Sequence, residues 1–138
     1  MPAKDFYHEN VRNSLMKDGW TITHDPFRLP MGSRSAFIDV GATKVFAAER
    51  QGQKIAVEIK SFLSTSPVSE LEKAMGQYDL YSMFLEDEDP ERLLFLAIPF
   101  FAFRDFFSEE IGQRVINRKN LRIIVFEPEK QEIVQWIT

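Results

Sequence analysis

Asp39 and the triplet Glu58-Ile59-Lys60 are the residues of this chain best suited to carry chemistry. Glu58 and Lys60 are two apart, so on an extended strand they point to the same face, with Ala56 beside them. Ile55, Val57 and Ile59 then take the opposite face. Asp39 closes an earlier extended segment at Ile38-Asp39-Val40-Gly41. If the two segments pair as a hairpin, Asp39 comes beside Glu58, and Gly41 permits a bend or bulge that re-aims a side chain there. Two carboxylates can hold Mg²⁺ (or Mn²⁺), a hard cation that prefers oxygen ligands and keeps several waters. The carbonyl oxygen of Ile59 could add a third ligand. A metal so held polarises a phosphoryl oxygen and acidifies a bound water. Lys60 would orient that water and stabilise developing charge. The alternative is an ordinary ion pair of Glu58 with Lys60 or Lys44 on a solvated strand face.

Other side chains could support such a site. In a helix centred on Val11, His8 lies about 60° from the middle of the apolar stripe and Glu9 about 160° away. His8 can edge into a site at the sheet, or sit half buried with a satisfied hydrogen bond; Glu9 faces solvent. Gln77 and Tyr81 are four apart and share a helix face. The Gln77 amide could reach a phosphate or a carboxylate, and Tyr81 could equally pack in the core. Arg28, Arg34 and Lys44 surround the acidic residues in sequence and could contact DNA phosphates, which position a backbone without reading its sequence, or could simply be solvated. Phe100, Phe101, Phe103, Phe106 and Phe107 form a dense aromatic segment. It packs a core or forms an exposed patch for a partner or a homo-oligomer.

The elements that must position these groups are legible from periodicity. Residues 4–18 predict a helix, with Tyr7, Val11 and Leu15 on one stripe and Gly19 just beyond its end. Trp20–Thr23 predicts a short strand, and His24–Arg34, with two prolines and a glycine, a loop. Ala36–Val40 and Thr43–Ala48 predict one strand, or two broken at Gly41. They are joined by a turn at Gln51-Gly52-Gln53 to the alternating strand Lys54–Ser61. Ser66-Pro67 is an N-cap followed by proline at the first helical position, starting a helix that runs to about Leu85. The acidic run Glu86–Glu91 reads as a solvated loop. Arg92–Ile98 is a continuous apolar run, expected of a strand buried on both faces. The stretch after it is expected to be helical in its second half, and Leu121–Phe126 and Glu132–Ile137 form a last strand pair. This order predicts a single domain of α/β class, a mixed sheet flanked by helices.

Composition excludes much else. There is no cysteine in the 138 residues, so disulfides, zinc–thiolate centres and cysteine nucleophiles are out. Two histidines make a poor case for a triad, and no P-loop or dinucleotide fingerprint is present. The opening MPAKDFYHENVRNSL lacks the apolar core of a signal peptide. No apolar run approaches the roughly 20 residues of a membrane span, so the expected compartment is the cytosol with no membrane association. The net charge of −4 is unevenly placed. Residues 1–60 carry 9 Lys and Arg against 7 Asp and Glu, and residues 61–138 carry 8 against 14. A DNA-facing surface is therefore expected in the first half.

The blocks HENVRNSLMKDGWTITHDP and FIDVGATKVFAAERQGQKIAVEIKSFL, with the later Gly76-Gln77-Tyr78, resemble the XisH family, named as controlling factors for excision of the fdxN element in cyanobacteria. The resemblance covers nearly the whole chain. It implies a restriction-endonuclease-like core, a XisI-type partner protein and a role connected with programmed DNA excision. More broadly, Asp39, Glu58 and Lys60 are similar to the motif of PD-(D/E)xK nucleases, with Ile38 in place of the motif proline. Gln77 and Tyr81 match the Q-x-x-x-Y extension of some branches, and His8 stands where many members carry a helix-1 glutamate. Two functions follow as expectations: a Mg²⁺-dependent nuclease acting on DNA, or a non-catalytic nuclease-fold protein that binds a partner and assists a site-specific recombinase.

Overall fold

The computed structural model describes residues 4–44 and 52–138. The expected strand end over 45–48 and the first residue of the expected turn, Gln51, lie outside the described residues. Helix α1 (His8–Lys17) buries Val11 and Leu15. It ends where Gly19 takes a left-handed φ of 94°, a conformation glycine adopts without strain. Strand β1 (Thr21–His24) follows.

The segment expected to be a loop instead folds back on itself. Phe27–Met31 (β2) and Arg34–Ile38 (β3) form a separate two-stranded antiparallel ribbon. Its prolines and glycine are placed where they do no harm. Pro30 sits on a strand whose outer edge has no ladder to break, and Gly32 supplies the positive φ of the turn (64°). Phe27 and Leu29 are buried while Arg28 between them is exposed, so the segment does carry the alternation of a half-buried strand.

Strand β4 (Val40–Lys44) pairs antiparallel with β5 (Gln53–Ile59), as the hairpin reading requires. The break in the preceding extended segment falls at Asp39 and not at Gly41. Gly41 instead lies inside β4, where a Cβ would come within 3.0 Å of the His24 Cβ and 3.2 Å of Phe27. Helix α2 (Pro67–Glu88) is capped by Ser66, whose hydroxyl accepts a hydrogen bond from the Ser69 N–H at 3.3 Å. It runs a turn beyond Leu85, so Glu86, Asp87 and Glu88 are helical, and Asp89 is not free in solvent. Its carboxylate is held by Lys54 (2.8 Å) and Arg92 (3.0 Å).

Strand β6 (Arg92–Pro99) is buried along nearly its whole length. The phenylalanine-rich stretch is helical from its start, not only in its second half. Helix α3 (Phe100–Ala102) runs into a π-helical turn at Phe103–Phe107, and α4 (Glu110–Lys119) follows. Phe106 and Phe107 are buried and Phe101 and Phe103 pack against the core, leaving Phe100 outermost. The segment is therefore core. Strands β7 (Ile123–Glu127) and β8 (Glu132–Ile137) pair antiparallel, as expected.

The main sheet has the order β1-β4-β5-β6-β7-β8, with β5, β6 and β7 parallel and the outer pairs antiparallel. Residues alternate between its two faces. Ala56, Leu94, Leu96 and Ile98 lie in one core with α2 and the ribbon; Ile55, Val57, Ile59 and Phe95 lie in the other with Val11 and Leu15 of α1. This is the expected mixed α/β sandwich. No helix among the described residues is long and apolar enough to cross a membrane.

Candidate active site

The β4–β5 register pairs Val40 with Val57. Continued by one residue, it sets Asp39 across from Glu58. Asp39 also ties the two strands together, because its Oδ2 accepts the Ile59 N–H at 2.7 Å. Lys60 continues the ladder beyond β5 by donating its backbone N–H to the Ala97 carbonyl at 2.9 Å. Its ammonium lies 3.7 Å from Glu58 Oε2. The ion pair and the carboxylate pair thus coexist. Glu58 is 9% exposed and its Oε1 has no hydrogen-bond partner.

Asp39, Glu58, Ile59, Lys60, Gln77 and Tyr81 line one cleft of about 510 Å³ at the end of β5. Helix α2 presents Gln77 and Tyr81 there because its core face (Leu71, Ala74, Tyr78, Leu85) is pinned to the sheet. The Gln77 Oε1 is buried and also lacks a partner. Burial and the neighbouring Asp39 push the Glu58 carboxyl up to about 8, only partly offset by Lys60. Burial raises Asp39 as well, against the opposing pull of the Ile59 N–H. Tyr81 is raised by burial, then by Glu58 and Asp39.

The remaining sequence candidates are distributed differently. His8 is buried, but its Nε2 lies 2.7 Å from Asp25 Oδ1, and it does not line the cleft. Asp25 in turn takes an ion pair from Arg12. Arg28 stands opposite Phe37 in the ribbon, on the face that borders the cleft, whereas Arg34 lies exposed beside the ribbon turn. Lys44 is at the far end of β4, about 16 Å from Asp39 at some 3.3 Å per residue. There it donates to the Asp18 carbonyl at 2.7 Å and lies over the Trp20 ring.

Four cleft residues were not expected from the sequence: Asp5, Ser35, Ala36 and Phe37. Ser35 and Phe37 precede Asp39 at spacings of four and two, and that period-two signal could have found them. Asp5 stands just ahead of α1, with Oδ1 accepting the Tyr7 N–H at 2.9 Å; nothing in its local sequence marks it.

A Glu58 carboxyl raised by burial and by the half-buried Asp39 beside it, with orphan oxygens on Glu58 and Gln77, forms a donor set that suits a hard cation. Among the described residues no three His, Cys, Asp or Glu side chains converge as a metal cage. Asp39 and Glu58 are the residues that could hold such a cation, with water filling its other positions.

Fold and site together define a mixed α/β protein with an acid pair and a lysine at the end of a parallel strand. The chain belongs to the XisH family, whose model (XisH protein) matches residues 1–134. Two solved structures are similar over nearly the whole molecule. A crystal structure of an XisH family protein from Nostoc punctiforme PCC 73102 is 36% identical, with 97% of this chain and 100% of that one covered and a TM-score of 0.87. An fdxN element excision controlling factor protein from Anabaena variabilis is 38% identical, with 98% and 100% covered and a TM-score of 0.87. No curated protein matches the chain.

Proposed function

We propose that this chain takes part in excision of a DNA element and hydrolyses phosphodiester bonds there as a Mg²⁺-dependent nuclease of the PD-(D/E)xK type. The observation that carries this reading is the cleft itself: half-buried Asp39 opposite buried Glu58, with Lys60 beside them. The excision role rests on family membership and on the description of the Anabaena relative. Asp39 and Glu58 would hold the cation, which when bound supplies a Lewis acid and an acidified water. Lys60 would hydrogen-bond the attacking water and balance charge as it builds on the phosphoryl oxygens. One P–O bond forms to water, one ester P–O bond breaks, and the proton released ends on the leaving oxygen. Gln77 would orient a phosphate or a ligating carboxylate. Tyr81 and Phe37 line the cleft, and Arg28, opposite Phe37 in the ribbon, would contact a phosphate of a DNA strand bound there. Arg34 and Lys44 lie too far from the carboxylates for first contact and would touch only more distant phosphates. His8, held by Asp25, would act through the position of α1.

A second reading has its own support. Without a cation the Glu58 carboxyl is largely protonated at neutral pH, and the described acids fall short of a full cage. On that reading the fold is a scaffold that binds a XisI-type protein and assists a recombinase. Incubation with plasmid, single-stranded and branched DNA in Mg²⁺ or Mn²⁺ separates the two. The enzyme reading expects cutting that Lys60→Met reduces roughly a hundredfold or more. No cutting of any substrate, alone or with the partner added, favours the scaffold.

A further inference from the structure

Helix α2 is long enough to have two working faces. One is pinned to the sheet by Leu71, Ala74, Tyr78 and Leu85. At 100° per residue, Gly76, Leu80, Met83 and Asp87 project within about 30° of the opposite direction, with Glu72 and Lys73 about 50° to either side. Two large apolar side chains are left in solvent on this outer stripe: Leu80 is 40% exposed and Met83 59%. Between them and the helix start is Gly76, in mid-helix, where glycine is the poorest former after proline. Nothing among the described residues accounts for it, since a Cβ there would meet none of their atoms within 4 Å. A glycine on a helix surface with free space around it, one turn from exposed leucine and two from exposed methionine, is a place where another backbone can come close.

Charge narrows the identity of that backbone. Glu72, Asp79 and Glu86 recur every seven residues along one edge of the stripe, and Asp87 and Glu88 follow. Asp79 is engaged by Lys119 at 3.2 Å, on the surface. The last turn of α2 holds no basic residue, so its carboxylates face the negative end of the helix dipole uncompensated. A second copy of the chain crossing antiparallel would set this acidic edge against itself, which costs energy. A helix with apolar residues on its seam and lysine or arginine along its edges would satisfy both features.

We infer that the outer face of α2, centred on Gly76, Leu80 and Met83, is a docking surface for a basic amphipathic helix of a different protein. The face points away from the acidic cleft, so docking there leaves the cleft open and holds whether or not the chain cuts DNA.

The test uses the whole chain and a labelled synthetic helix of about three heptads, leucine and alanine on its seam and lysine on its edges, read by fluorescence anisotropy. A counterpart with glutamate for lysine is the control. The lysine helix binds at least roughly tenfold more tightly than the control, and salt weakens it. Gly76→Leu, which changes no charge, weakens it roughly tenfold while leaving the free protein folded with an unchanged or higher Tm. Met83→Ser weakens it comparably. Unchanged affinity in Gly76→Leu and Met83→Ser, or equal binding of both peptides, overturns the proposal. So does a dimer of the free chain, by sedimentation, that Met83→Ser dissociates, because the face then belongs to a second copy.

Discussion

Asp39 and Glu58 stand across from each other where the β4–β5 ladder ends, and Asp39 accepts the Ile59 N–H at 2.7 Å, which helps to hold its charge. Glu58 has burial and the Asp39 charge against it, with Lys60 at 3.7 Å as partial relief. The pair therefore costs the fold stability whenever both members are ionised and no cation lies between them.

That cost has a defined pH dependence. In the folded chain burial and the neighbouring Asp39 push the Glu58 carboxyl up to about 8, from an ordinary value of 4.5. Between those limits the folded state holds a proton that the unfolded state has released. Stability of the metal-free protein therefore falls as pH rises from about 4.5 to about 8, by up to a few kcal/mol; raised Asp39 acts in the same direction. Urea unfolding in chelator at pH 5, 6, 7 and 8 measures it. Glu58→Gln is expected to flatten most of the slope, and a wild-type stability that rises with pH across this range would contradict it.

Adding Mg²⁺ or Mn²⁺ should reverse the effect. A cation at a hundredfold excess over its Kd contributes about 2.7 kcal/mol, several degrees in Tm for a chain of this size. The gain should be larger at pH 8 than at pH 6, where protons compete for the same oxygens. Asp39→Ala should abolish it. An equal shift in wild type and mutant would place the ion elsewhere.

Much of this site was legible because strand and helix periods are rigid rulers. Spacings of two (Glu58, Lys60) and four (Gln77, Tyr81) put four side chains into one cleft, and hairpin pairing brought Asp39 to them. What resisted reading depended on partners distant in sequence. His8 is buried on the inner side of α1, but its Nε2 is taken by Asp25, beyond β1, and it does not line the cleft. The β2–β3 ribbon was hidden by Pro30 and Gly32, which signal a loop unless a strand is known to lie at an edge. Asp5 reaches the cleft only through the docking of α1. Asp89, within an acidic run that reads as solvated, is drawn between Lys54 and Arg92 by the closing of α2 onto β6.

Arg92 is the cation on which that closing depends. It is buried, donates to the Ile55 carbonyl at 2.9 Å and to Asp89 at 3.0 Å, and lies 4.7 Å from the Phe27 ring centroid. Arg92→Met keeps much of the volume but removes a buried donor to the Ile55 carbonyl and one of the two cations on Asp89. The expected loss is about 3 kcal/mol, read as a lower urea midpoint at unchanged m-value. Lys54→Met, which removes only the more exposed partner, should cost under about 1 kcal/mol. Equal losses would show that burial of Arg92 does not set its weight.

Two helical glycines should respond to the same substitution with opposite signs. A Cβ on Gly112 would lie 2.4 Å from Phe107 Cα and 2.6 Å from its carbonyl oxygen, both backbone atoms that no rotamer can move. Gly112→Ala must therefore push α4 away from the π-helical turn and loosen the packing around Phe107, which is fully buried. A cost of about 1–3 kcal/mol is expected, the range for overpacking. At Gly76 the Cβ meets nothing within 4 Å, so Gly76→Ala brings only the better helix propensity, a gain of up to about 1 kcal/mol. Thermal unfolding of the two single mutants beside wild type reads both signs directly. A stabilised Gly112→Ala would mean that α4 does not approach the turn as closely as the packing requires. A destabilised Gly76→Ala would mean that the outer face of α2 is already covered in the free protein.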